Sequence, residues 1–456
     1  MENSSNNKYY EIKLEKLNTI LIKPSKPTPS HLQNFKLSLL DQLSPNIHGN
    51  TTFFYPNHNN NNNNHNHFSD FINKSKILQN SLSQTLSHFY PLAGRLHDAT
   101  TIHCNDDGVF FIESQTTTTL SEILTDPNFN TLECFLPTTE EKRNMLLLLR
   151  FTLFSCGSTA ITISLTHKIV DFNTLIIFLN TWTTITTGNE IPLPDLTVAA
   201  ALFPPREIPG MSGSVKTSDA KFTTRRFIFE ASKIEELKTN IKNKIEFEFE
   251  FHPSRVEVVL ALIWKCALSA SIAVSGSKTT SFKRSILFQA VNLRTRMEPT
   301  VPETAVGNVV WPFWVTVEEE SHVAIDEMVK RMRKGIMDFI ENKAERFKEE
   351  GGFKVVMESL KERVEILKGN ENEGSLVIYK CSSWCKFPLL EFDFGWGKPV
   401  WSCSVNNLVS NTIALMDTKD GGGVEAFVTL DEDEMKLFEQ NQELLHYALL
   451  NPTILI

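Results

Sequence analysis

Ile161-Thr162-Ile163-Ser164-Leu165-Thr166-His167-Lys168-Ile169-Val170-Asp171 is the stretch on which the reading of this chain turns. Its first six residues alternate apolar and hydroxyl side chains, the period of a strand. A helical pattern then runs from Asp171 to Trp182, and an aspartate at that boundary suits a helix cap. The segment predicts a strand, a short turn and a helix, with His167 at the turn. Backbone geometry is well fixed at such a junction, and a side chain there can face a cavity. Imidazole, with an ordinary pKa of about 6.5, is the group best matched to take a proton from an alcohol or amine near neutral pH. Taken alone, however, His-x-x-x-Asp reads more simply as a core histidine followed by a cap.

Upstream, Leu14 to Ile22 alternates before a Pro-rich stop at Pro24, Pro27 and Pro29. Phe68 to Ser87 has helical spacing, and strands are expected at Gly108–Glu113 and Met145–Phe154. Glu190 to Ser214 carries five prolines and no sustained period, which marks a crossover linker. Beyond it lie a strand at Phe222–Phe229 and a helix at Ser232–Asn243. The run Glu246–Phe251 suits a one-sided strand or a short biased loop equally well. Ser254-Arg255-Val256-Glu257 forms a capping-box pattern ahead of a long apolar helix. Val323–Glu349 is an amphipathic helical stretch, and Thr412–Asp417 with Val424–Leu430 flank a Gly-rich hairpin turn. Strands and helices alternate in both halves, so the fold class is α/β or α+β with two mixed sheets.

At 456 residues and 41% hydrophobic, the chain can bury a large core. Its 45 Lys+Arg against 54 Asp+Glu leave a net charge of −9, which disfavours a general nucleic-acid binder or a polybasic membrane-surface protein. A phosphate-bearing ligand would need local basic residues. Seven cysteines, an odd number, do not make a secreted disulfide framework. Cys381 and Cys385 have no second ligand pair at zinc spacing and read as buried thiols, so no metal site is expected. The Asn57–His67 tract reads as a solvated loop, since nothing near it would fix its imidazoles around a metal. No signal-peptide pattern opens the chain, which makes the cytosol the expected compartment. Val258–Val274 is nearly long enough to span a bilayer, but Lys265 within it argues for a buried helix.

Four further segments change the weight of His167 and Asp171: Tyr90-Pro-Leu-Ala-Gly-Arg-Leu96, Val291-Asn-Leu-Arg-Thr-Arg296, Gly307-Asn308-Val-Val310 and Asp393-Phe-Gly-Trp-Gly-Lys-Pro399. In this order they resemble the plant BAHD acyl-CoA-dependent acyltransferases over nearly the whole chain. The pairing of His-x-x-x-Asp with Asp-Phe-Gly-Trp-Gly is the specific part of the likeness. It implies two chloramphenicol-acetyltransferase-like domains, residues 1–189 and 221–456 joined by a linker at 190–220, with a channel between them. The resemblance implies acyl-CoA as co-substrate and a small-molecule alcohol as acceptor, in a monomer without nucleic-acid or membrane partners.

In that family His167 would be the general base. Asp171 would be structural, turned away from the channel and paired with an arginine, here Arg294 with Arg296 as second choice. Asp393, Gly395 and Gly397 would be architectural. Trp396 could donate its indole N–H to the tetrahedral oxyanion, or simply pack. Ser254 and Arg255 at a helix N-terminus, and more weakly Asn308, are candidates for binding CoA, each with capping or surface chemistry as the alternative. Phe172 departs from the glycine that often follows the motif aspartate. It fits the alkaloid O-acetyltransferase subgroup, as does His-Lys-Ile-Val-Asp, which favours acetyl-CoA as donor and an alkaloid hydroxyl as acceptor. Phe427 offers no cation to a malonyl carboxylate. Phenolic or aliphatic alcohols and amines remain alternatives, as does a non-catalytic binding protein of the same fold. A serine hydrolase is discounted, because Gly210–Ser214 lacks the closing glycine of a nucleophile elbow.

Overall fold

The computed structural model describes residues 12–58, 67–190, 193–206, 208, 221–244, 252–276, 283–368, 376–405 and 409–456. The Asn/His tract from 59 to 66, the run 246–251 and the segment 210–214 lie outside the described residues.

Two mixed sheets organise the molecule. The first has six strands in the order Glu15–Ile22, Val109–Gln115, Leu147–Leu153, Thr159–Thr166, His48–Tyr55 and Trp401–Cys403. The second has seven, in the order Val310–Val317, Ser285–Asn292, Val377–Ser383, Thr412–Asp417, Val424–Asp431, Phe222–Phe229 and Leu449–Leu450. Parallel pairs occur in both, between Val109–Gln115 and Leu147–Leu153 and on either side of Val377–Ser383. Such pairs need crossover connections, and the helices that supply them cover the sheets.

Thr159–Thr166 is buried along its whole length, so its alternation does not mark a wet and a dry face. Its hydroxyls lie inside, where Ser164 Oγ has no partner among the described residues and Thr162 finds one. Thr162 meets Thr52 across the strand pair, oxygen to oxygen at 2.9 Å, and Ser114 meets Thr152 in the same way at 2.9 Å. On this sheet lie the helices His67–His88 and Phe172–Thr187, tied where Trp182 Nε1 donates to Ser81 Oγ at 3.0 Å. The second sheet packs on Arg255–Ser275, whose Trp264 Nε1 donates to Ser285 Oγ at 2.8 Å. That helix is long and apolar enough to cross a membrane, yet most of it is buried in the protein, and Lys265 reaches Glu443 at 2.7 Å. The amphipathic stretch expected at Val323–Glu349 is not one helix. Ile325–Phe339 passes through a wide turn at Ile340–Ala344 and then breaks at Glu349–Gly351, before a further helix Phe353–Lys368.

The halves exchange segments. Trp401–Cys403 belongs by sequence to the second half but pairs with Phe54–Thr52 of the first sheet. In the opposite sense, Leu39 and Leu40 contribute to the core around the second sheet. The chain path changes near 190–220, while the packing interlocks across it.

Candidate active site

His167 is the first residue beyond the strand Thr159–Thr166. Its backbone is held on both sides: its N–H donates to the Ile47 carbonyl at 2.8 Å, and its carbonyl accepts from Asn308 Nδ2 at 2.8 Å. The side chain lines a cavity of about 180 Å³ between the two sheets. A single water needs only about 10–15 Å³ of such space, so the cavity has room for a ligand. His167 Nδ1 is buried without a hydrogen-bond partner among the described residues, which leaves Nε2 as the edge that meets a ligand. Asn50 lines the same cavity, its own Oδ1 buried and without a partner among the described residues.

Asp171 caps the helix Phe172–Thr187 by accepting the Thr174 N–H at 2.8 Å. The same carboxylate meets Arg294 at 2.7 Å and 3.3 Å in a two-pronged pair, both side chains 1% exposed, and accepts the Val309 N–H at 3.0 Å. Arg294 also donates to the carbonyls of Ala305 and Gly307. The carboxylate is thus fully occupied and has no free lone pair to serve as a base, whereas the imidazole is open to the cavity. Arg296, the second choice for partner, is exposed.

Asn308 is a correction. It is wholly buried, and its backbone and side-chain N–H groups donate to Asp41 at 2.7 Å and 2.8 Å in addition to the His167 carbonyl. No donor is left for a CoA phosphate. Burial pushes the Asp41 carboxyl above its ordinary range, against the hydrogen bonds from Ser38 and Asn308 that pull it down. Asn308 therefore supports the histidine's backbone from behind.

Ser254 and Arg255 are likewise committed within the protein. Ser254 and Glu257 form a reciprocal capping box, and Glu257 pairs with Arg333. Arg255 donates to Asp417 at 2.7 Å and to the Gly421 carbonyl at 2.5 Å, which ties the helix to the hairpin. This helix start already carries its own anion, so the phosphate site expected there gives way.

Asp393 accepts the N–H groups of Gly395 at 2.7 Å and Gly397 at 2.9 Å. Both glycines stand at positive φ, +103° and +107°, where a side chain would be strained. The motif is a turn closed by its own aspartate. Trp396 stacks on Phe394 at 5.8 Å, lies under Lys74 at 5.5 Å and is not among the residues lining the His167 cavity. Its indole N–H is buried with no partner among the described residues.

The sequence reading missed most of the cavity wall. Ser382 and Ser383 end the strand Val377–Ser383, Trp384 and Phe387 follow it, and Asn292 ends Ser285–Asn292. Phe172 stacks on Trp384 with ring centres 4.3 Å apart and planes 3° from parallel, and Phe387 meets Phe172 edge-on at 5.2 Å. The available signal was Cys381-Ser-Ser-Trp-Cys385, a polar strand end followed by an aromatic. Cys385 is half-buried, its thiol pushed up to about 11 by burial. Among the described residues no cluster is fit to hold a metal.

The Transferase family model matches residues 12–445. BAHD acyltransferase BIA1 of Arabidopsis thaliana is 33% identical over 97% of this chain and 99% of its own. The chain belongs to the BAHD acyltransferase family. Another relative, stemmadenine O-acetyltransferase of Catharanthus roseus, is 32% identical over 92% of this chain and 95% of its own. The crystal structure of vinorine synthase superposes with a TM-score of 0.79 at 32% identity, covering 95% of this chain and 98% of that one. As a BAHD protein the chain is an acyl-CoA-dependent O-acyltransferase with a CoA thioester as co-substrate.

Proposed function

We propose that the protein transfers an acetyl group from acetyl-CoA to a hydroxyl on an apolar scaffold of the alkaloid kind. The observation that carries this reading is the division of labour at the turn, where Asp171 is locked in a buried ion pair and His167 is left facing the cavity. With both substrates bound, His167 Nε2 takes the acceptor's hydroxyl proton as that oxygen forms its bond to the thioester carbonyl carbon. The tetrahedral adduct then expels the CoA thiolate, the C–S bond breaks, and the imidazolium returns its proton to sulfur. One imidazole serves both proton transfers, and holding the two reactants together supplies much of the acceleration.

Among the described residues, no lysine or arginine lines the cavity. This favours a neutral or amine-bearing acceptor over a hydroxy acid, and an acetyl donor over one with a free carboxylate. Phe427 packs edge-on against Phe129 at 5.3 Å and is not among the residues lining this cavity. The relative whose name makes it a stemmadenine O-acetyltransferase supports both the acetyl donor and the hydroxyl acceptor. The test is free thiol release from acetyl-CoA with a panel of alcohols and amines, and mass spectrometry of products made from labelled acetyl-CoA. Acceptor-dependent thiol release with an acetyl ester as product is expected. Release indifferent to acceptor would mean hydrolysis and end this reading.

A further inference from the structure

The Phe172–Trp384 stack does more than fill space. Trp384 follows the second sheet, where its N–H donates to the Leu415 carbonyl at 2.7 Å, while Phe172 is the first residue of the helix capped by Asp171. The rings come from opposite halves of the chain, meet almost face to face at 4.3 Å, and both line the His167 cavity. Face-on or offset stacking is the contact by which an indole holds a flat ligand ring. Here that face is already covered by a residue of the protein itself.

We propose that Phe172 is a specificity-determining residue that occupies the stacking place a flat acceptor ring would take on Trp384, so that the cavity favours compact, non-planar alcohols over flat aromatic ones. The proposal rests on the acyl-transfer reading above and adds to it the shape of the acceptor. Phe387, three residues after Trp384 in the same turn, meets the covering ring edge-on at 5.2 Å. The motif that aims the base therefore also fixes the shelf cover, because the cap residue Asp171 directly precedes Phe172 and is clamped by Arg294.

The experiment compares kcat/KM for cinnamyl alcohol and for cyclohexylmethanol in the wild type, Phe172→Ala and Phe172→Leu, with acetyl-CoA as donor. Removing the ring should raise the ratio of flat to compact acceptor by about three- to tenfold, the range of one aromatic stack. Phe172→Leu keeps an apolar side chain at the helix start, and so answers the question should the alanine variant fold poorly. Phe172→Tyr keeps the cover and should retain the wild-type ratio. In parallel, quenching of tryptophan fluorescence by cinnamyl alcohol without acyl-CoA should tighten in Phe172→Ala and lose that gain in Phe172→Ala/Trp384→Leu. If the alcohols are acylated but their ratio does not move in either ring-deleted variant, the shelf is refuted while acyl transfer stands. A change in the ranking of acyl-CoA donors instead of acceptors would also overturn it, by placing the stack on the donor side. If no alcohol is acylated, the transfer reading fails, and the quenching comparison alone supports or overturns the shelf.

Discussion

Removing the His167 ring should lower acetyl transfer by about 10²–10⁴-fold, the usual weight of a positioned general base. His167→Ala should leave CoA affinity nearly unchanged by calorimetric titration, because the imidazole handles a proton and not the nucleotide. Near-normal turnover would dismiss the base assignment. Asp171→Ala should act on the fold as well as on the rate. It strands Arg294 at 1% exposure, and breaking such a pair typically costs about 3–5 kcal/mol, visible as a lower denaturant midpoint. A variant of undiminished stability that is inactive would give Asp171 a direct chemical part instead. The residues legible in the sequence were those whose spacing is local, His167 and Asp171, with Arg294 reached through a family pattern. Asn50, Trp384 and Phe387 were not legible, because Asn50 stands on a strand of the first sheet while Trp384 and Phe387 lie in the turn after a strand of the second, and their meeting depends on how the sheets lie against one another. Ser254 and Arg255 misled for the opposite reason. A helix start with basic and hydroxyl residues looks the same in sequence whether it awaits a phosphate or has already closed on Glu257 and Asp417.

At the scale of the element, the Asp393–Gly397 turn is a test of architecture apart from chemistry. Gly397→Ala forces a side chain into φ near +107° and should cost roughly 1–3 kcal/mol. The molecules that remain folded should keep their KM for acceptor, read by combining denaturant unfolding with steady-state kinetics. A large rise in acceptor KM without loss of stability would place the turn in the binding site. Elements with clean periods were legible: the strand ending at His167, the helix after it and the final hairpin all fall within a residue or a few of their expected places. Val310–Val317 was missed because Pro312 interrupts it, and the structure shows why proline is tolerated there. The strand is the outer edge of its sheet, with a partner on one side only. The charged stretch Val323–Glu349 was read as one helix because its apolar stripe continues past Phe339, where the turns first widen and then tighten, a change that the side-chain period does not register.

For the whole molecule, His48 sets part of the response to acid. It opens the strand that flanks Thr166, its Nε2 bonds to the Met145 carbonyl at 2.9 Å, and burial, aided by nearby Lys142, pushes its pKa down to about 4. The unfolded chain takes up this proton near its ordinary value of about 6.5. Between those limits the unfolded state therefore binds more protons, so stability falls as pH is lowered from about 6.5 towards 4. His48→Gln should flatten that slope in denaturant titrations at stepped pH; an unchanged slope would mean that His48 is not the group responsible. The two-sheet architecture was legible in outline, but the exchange of Trp401–Cys403 into the first sheet was not, since three residues carry no period. That small graft bears on how the protein could be divided. A gene cut in the linker would make an amino-terminal piece whose row of peptide groups along His48–Tyr55 lies bare, ready to pair with its own copies. Such a piece expressed alone should collect in the pellet and be drawn into solution when the other piece is made beside it, each completing what its sister lacks.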